Sequence, residues 1–210
     1  MELLEFSLAS FRDESLKLAH MVRESGYEPD CVAYLAKGAW QIGEVCAEYF
    51  DASIVELSAH RSGESAKSGA RGILQMLPRS VRRKLRATEL RKRLKRDNGS
   101  VQKKTMRLTN RFALPAGSKR VLLVDDSADT GASLIAAREL LEGILPGCEV
   151  KTAVVVSFGS AREVKAVDFS LHENVLLCSP MSKDNRDYAA AIKGYEGFDG
   201  LRSCRGRDFR

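Results

Sequence analysis

Short apolar runs alternate with amphipathic stretches along this chain, and their spacing sets out its elements. Val121 to Val124 (VLLV) is a run of apolar β-formers that predicts a short buried strand. Asp125 and Asp126 follow where that strand is expected to end, and Asp129 opens a run of small residues. Leu134, Ala137 and Leu141 then repeat at i, i+3 and i+7, the stripe of a helix. Upstream, Cys31 to Ala36 predicts another strand, and Ile42, Val45, Cys46, Tyr49 and Phe50 keep a helical rhythm before a strand at Ser53 to Leu57. A strand, helix, strand order of this kind requires parallel pairing with a right-handed crossover.

The flanks are simpler. Leu8, Phe11, Leu18 and Val22 place an amphipathic helix at about Ser10 to Ser25, stopped by Gly26. Beyond the central helix, Leu145-Pro146-Gly147 turns the chain into a strand at Glu149 to Ser157, with another at Asn174 to Cys178 and a short helix around Tyr188 to Lys193. Arg202 to Arg210 reads as a frayed basic tail. The predicted fold is one α/β domain over 1–210: a mostly parallel sheet flanked by helices, with a helical basic insertion over 58–119.

That insertion changes the composition sharply. Ten basic residues crowd between Arg79 and Arg96 (Arg79, Arg82, Arg83, Lys84, Arg86, Arg91, Lys92, Arg93, Lys95, Arg96). Leu74, Leu77, Val81 and Leu85 share one helical face and Leu90 and Leu94 the opposite one, which suggests two short helices or one that changes partner near Thr88. A solvated helical face is the plainest account of the charge. A net charge of +6 and a pI near 9.1 also suit contact with nucleic acid or anionic lipid. Without interleaved aromatics such residues fit phosphate contacts better than base stacking.

Other features narrow the class. A chain of 210 residues with 44% hydrophobic content can bury a full core. Cys31, Cys46, Cys148, Cys178 and Cys204 are odd in number and form no C-x-x-C, which argues against a disulfide framework or zinc site and for a reducing, cytoplasmic location. His20, His60 and His172 form no ligand-spaced pair. No apolar run approaches membrane-spanning length, and Arg12, Asp13 and Glu14 come too early for a signal peptide.

The chemistry concentrates between Val121 and Ser133. Backbone N–H groups of Thr130, Gly131, Ala132 and Ser133 at a helix start suit a phosphate, and Gly131 lets the backbone approach it. Asp125 and Asp126 would repel that phosphate but accept from sugar hydroxyls, or hold a hard divalent cation. One ligand with a phosphate, a diol and a metal-linked pyrophosphate satisfies all of these: 5-phosphoribosyl 1-pyrophosphate (PRPP). A lone Asp-Thr-Gly would be an ordinary turn before a helix. Here the whole run, VLLVDDSADTGAS, resembles the PRPP-binding signature of type I phosphoribosyltransferases.

The resemblance implies more. In that family the loop after the first sheet strand holds pyrophosphate, often with a strained peptide bond, and Ala36-Lys37-Gly38 looks like a version of it, with Ala39 where a second glycine is frequent. Lys-Gly alone is a common turn pair; its position in a βα loop at the carboxyl end of a strand gives it weight. By resemblance Asp125 and Asp126 bind the ribose hydroxyls or Mg2+, and Lys37 with Gly38 the pyrophosphate. Asp129 matches the position proposed as general base in some purine enzymes. The insertion would serve as a hood or flap, and a homodimer would be usual. The acceptor half resembles the family less. Val154 to Gly159 lacks the lysine that reads a 6-oxopurine, and no tryptophan lies near Val175; Phe158 or Phe169 could stack on a base, and either could equally be plain core. A nucleobase, ammonia, a polyprenyl phosphate or another alcohol therefore remains open as acceptor. A PRPP-sensing regulator that binds nucleic acid is the alternative from another class, although the stretch before Cys31 is too short for a separate DNA-binding domain.

Overall fold

The computed structural model describes residues 2–60, 81, 88, 92, 105–109 and 111–199. Most of the basic insertion and the Arg202 to Arg210 tail lie outside the described residues; of 79–96, Val81, Thr88 and Lys92 are described, each helical and exposed.

Six strands form the main sheet in the order β4-β3-β2-β5-β6-β7. They are β2 (Cys31–Leu35), β3 (Ser53–His60), β4 (Thr105–Leu108), β5 (Arg120–Ala128), β6 (Glu149–Ser157) and β7 (Phe169–Glu173). All pairs are parallel except β3 with β4. Helix α1 (Leu8–Glu24) and α2 (Trp40–Phe50) cover one face, and α3 (Ala132–Ile144) the other. Alternation along β5 divides the core: Leu122 and Val124 pack toward α1 and α2, Val121 and Leu123 toward α3.

A second sheet has two parallel strands, β1 (Leu3–Glu5) and β8 (Leu176–Cys178), with Leu3 opposite Leu176. The expected strand at Asn174 to Cys178 is thus shorter and leaves the main sheet, whose edge is the separate strand β7. Asn174 takes a left-handed conformation between the two strands (φ 56°) and breaks the run. Helix α1 begins at Leu8 because Ser7 and Ser10 form a reciprocal capping box. The short helix α4 (Gly159–Glu163) follows β6, and α5 (Tyr188–Gly197) ends the described chain.

Candidate functional site

The acidic pair sits differently from its expected place. Asp125 and Asp126 lie within β5, which runs on to Ala128 because β6 continues beside it: Asp125 pairs with Val154, Ser127 with Val156 and Ala128 with Ser157. On the other side, pairing with β2 ends at Tyr34 opposite Val124. The two carboxylates therefore stand where one neighbouring strand has stopped and the other has not. This is the carboxyl end of the sheet, the edge at which open α/β folds bind ligands.

The loop between β2 and α2 lies against this edge, where Gly38 approaches Asp126. It carries Lys37 and Gly38, and the peptide bond between Ala36 and Lys37 is cis. Ala36 N donates to Leu57 O at 2.8 Å, and Gly43 N donates to Ala39 O at 2.8 Å, so both ends of the loop are tied to regular elements. Gly38 faces Asp126 closely: a Cβ at Gly38 would lie 3.2 Å from Asp126 Cγ and Oδ2. A glycine predicted to receive the pyrophosphate and a carboxylate predicted to bind the ribose thus lie side by side at Gly38 and Asp126.

Beyond β5, Asp129 and Thr130 lead into Gly131, the N-cap of α3, whose φ of 75° is left-handed. A Cβ there would fall 2.4 Å from Ala166 Cβ, so glycine is required by both conformation and space. No side chain caps this helix start. Its first-turn amides, at Ala132 and Ser133, face the positive end of a 13-residue helix, the environment that holds phosphates. Ser160 Oγ donates to Asp129 O at 2.6 Å and anchors the loop to α4.

Asp126 has further partners. Its Oδ2 accepts from Ser179 Oγ at 3.0 Å, and its Oδ1 from Ser127 Oγ at 3.3 Å. Asp125 Oδ1 accepts from the Asp126 backbone N–H at 2.8 Å. Hard carboxylate oxygens of this kind suit Mg2+, which commonly takes one or two carboxylates and completes its shell with water and substrate phosphates. Among the described residues no group of three or more His, Cys, Asp or Glu that could hold a metal ion is present.

A buried polar network lies near the Lys37 loop. Glu56 on β3, 4% exposed, accepts from Tyr34 Oη at 2.6 Å and Tyr195 Oη at 3.0 Å. Arg111 lies 3.6 Å from the same carboxylate oxygen, and its guanidinium also donates to the backbone oxygens of Tyr195 and Phe198. Burial, followed by the bond to Glu56, raises the hydroxyl pKa of both tyrosines and keeps them as donors. Lys37 Nζ stands 5.7 Å from the centre of the Tyr195 ring. Sequence reasoning missed this network, although a glutamate inside the apolar run Ser53 to Leu57 was its visible signal. Ser179 gave no signal at all. Phe158 is 3% exposed and serves the interior, whereas Phe169 is half-buried and packs against the same core.

The family model described as phosphoribosyl transferase domain matches residues 10–182. The chain belongs to the phosphoribosyl transferase domain family. That family generally works with PRPP and Mg2+. The fold is also that of a Helicobacter pylori xanthine-guanine-hypoxanthine phosphoribosyltransferase, at 15% identity and a TM-score of 0.59, covering 92% of this chain and 99% of that one. A purine phosphoribosyltransferase from Pyrococcus horikoshii Ot3 matches at 16% identity and a TM-score of 0.57, covering 87% and 95%. A hypothetical protein from Neisseria gonorrhoeae with bound ppGpp matches at 15% and 0.53, covering 93% and 96%. No curated protein sequence matches significantly. At these identities the solved structures establish a shared fold. No described helix of this phosphoribosyl transferase domain is long and apolar enough to cross a membrane.

Proposed function

We propose that this protein is a Mg2+-dependent phosphoribosyltransferase, moving the 5-phosphoribosyl group from PRPP to a small-molecule acceptor, a nucleobase in the first instance, with release of pyrophosphate. The observation that carries the reading is the approach of Gly38 to Asp126, which sets a pyrophosphate-type loop against a ribose-type carboxylate beside an uncapped helix start. In this reading Thr130, Gly131, Ala132 and Ser133 hold the 5′-phosphate through backbone N–H groups and hydroxyls. Asp125 and Asp126 accept from the ribose hydroxyls and would hold the cation. Lys37 and Gly38 receive the pyrophosphate. Mg2+, when bound with it, would neutralise charge on the leaving group. The C1–O bond breaks through an oxocarbenium-like state, so the chain's tasks are to orient the ribose, stabilise the departing anion and exclude water. Asp129 is the candidate base toward the acceptor. The basic insertion over 58–119 would act as a hood over the reactants, and a homodimer is the expected assembly.

The test is product formation from PRPP and Mg2+ against a pooled panel of purine, pyrimidine and pyridine bases, read by mass spectrometry. A new nucleotide names the acceptor. PRPP binding without any product would move the reading to a non-base acceptor or to a PRPP sensor. The sensor is the second reading, favoured by the basic 79–96 segment and by the ppGpp-bound Neisseria protein of the same fold. Retention on heparin that falls steeply with salt would support it.

A further inference from the structure

The structure assigns Ser179 a positioning role toward Asp126, an assignment that rests on reading Asp126 as a ribose-binding carboxylate. Ser179 follows β8, is 1% exposed, and donates to Asp126 Oδ2 at 3.0 Å. Ser127 donates to the other oxygen at 3.3 Å. The terminal torsion of an aspartate is broad and soft, so its carboxylate plane is set by what its two oxygens accept. Here the two donors come from different elements of the fold.

Ser179 is itself held. Its backbone oxygen accepts from Ser182 N at 2.8 Å, and Ser182 O accepts from Asn185 N at 2.8 Å. Asn185 Nδ2 then donates to Cys178 O at 3.0 Å and to Phe6 O at 2.8 Å. One side-chain amide thereby ties together the ends of β1 and β8. Asp187 Oδ2 adds a bond from Leu8 N at 2.8 Å, at the first residue of α1. The two-stranded sheet of β1 and β8 is in this way connected, through Ser179, to the Asp126 carboxylate at the carboxyl end of the main sheet.

A carboxylate that accepts from ribose hydroxyls depends on the orientation of its plane, whereas metal-free pyrophosphate offers Asp126 neither a hydroxyl nor a cation to hold. Loss of the Ser179 hydroxyl therefore weakens ligands that carry the ribose and spares pyrophosphate. Calorimetric titration of PRPP with Mg2+, and of inorganic pyrophosphate without it, into wild type, Ser179→Ala and Ser179→Thr tests this. The expected result is PRPP affinity reduced on the order of tenfold in the alanine variant, pyrophosphate affinity within about twofold of wild type, and recovery for PRPP in the threonine variant. Equal weakening of both ligands, or unchanged PRPP affinity, overturns the assignment while leaving the site reading intact. Wild type that binds no PRPP overturns the site reading itself. Should the alanine variant melt early, Ser179→Cys keeps the volume with a weaker donor and carries the same comparison.

Discussion

Tyr34 and Glu56 are register partners on β2 and β3, and the Tyr34 hydroxyl donates to the Glu56 carboxylate at 2.6 Å inside the core. Tyr195 and Arg111 complete the surroundings of that carboxylate. A buried charge-bearing group is tolerated when its lone pairs are filled, and becomes costly when one partner is withdrawn. Tyr34→Phe is therefore expected to destabilise the protein by roughly 1–2 kcal/mol. Arg111→Ala should cost more, about 2–4 kcal/mol, because it also releases the carbonyls of Tyr195 and Phe198 that hold the end of α5. Urea unfolding of both variants provides the measurement, and equal stability of the two would contradict this ordering.

Gly131→Ala makes a second prediction at the N-cap of α3. The new methyl would sit in a left-handed conformation and 2.4 Å from Ala166 Cβ. Conformational strain and overlap together should cost roughly 2–3 kcal/mol. Relief of the overlap must move either the loop or the segment carrying Ala166, so PRPP affinity should fall as well. Thermal unfolding alongside calorimetry separates the two effects; a variant that melts and binds as wild type would show that this close approach is not needed.

Much of the candidate site's backbone was legible because it is local in sequence. From Val121 to Ser133 each residue type prescribes its own geometry: apolar strand, carboxylates, glycine turn, helix start. The strand's true end was not legible, since Asp125 and Asp126 are poor strand formers and stay in β5 only because β6 extends beside them. The sheet of β1 and β8 was hidden for another reason. Three residues show no period, and Leu3 meets Leu176 from the far end of the chain. Ser179, Arg111 and Tyr195 reach the site by the same long-range route, which no spacing in the sequence encodes.

A pH effect follows from Glu14. Burial alone would raise its pKa above the ordinary value of 4.5, but hydrogen bonds and charge attraction from Lys17 at 2.6 Å and His172 at 2.8 Å outweigh it and leave the pKa lowered. A carboxyl group with a lowered pKa in the folded state contributes stability that is fully present above its unfolded value. That contribution is lost as pH falls through the folded value. Urea unfolding between roughly pH 3 and 6 should show stability declining below about pH 4.5, and Glu14→Gln should flatten that decline. An identical pH profile in the variant would assign the acid sensitivity to other groups.

The Asp125→Asn, Asp126→Asn double variant addresses the acidic pair directly. Amide groups keep the shape but lose the charge and half of the acceptor capacity. With both changed, PRPP affinity in the presence of Mg2+ should drop roughly a hundredfold or more, judged from two hydrogen bonds to charged groups. Unchanged affinity by calorimetry would remove these residues from the site.

Gly38→Ala probes the same contact from the opposite loop. The added methyl would lie 3.2 Å from Asp126 Cγ and Oδ2 and 3.4 Å from Oδ1, tighter than ordinary van der Waals contact. One of the two loops must give by a few tenths of an ångström. Asp126 is held by Ser179 and Ser127, while the Lys37 loop is fixed at both ends by Ala36 and Gly43, so neither side yields without disturbing a hydrogen bond. Small clashes at this distance cost the fold about 1 kcal/mol, so the melting temperature should fall by only a few degrees. Recognition should suffer more, because the groups that shift are those that would grip the ribose and the pyrophosphate. The expected outcome is a loss of affinity for PRPP and for pyrophosphate alike, on the order of tenfold for each. This differs from Ser179→Ala, for which pyrophosphate binding is spared. If Gly38→Ala weakened PRPP alone, the loop at Lys37 would not be the pyrophosphate site, and its closeness to Asp126 would serve ribose recognition only.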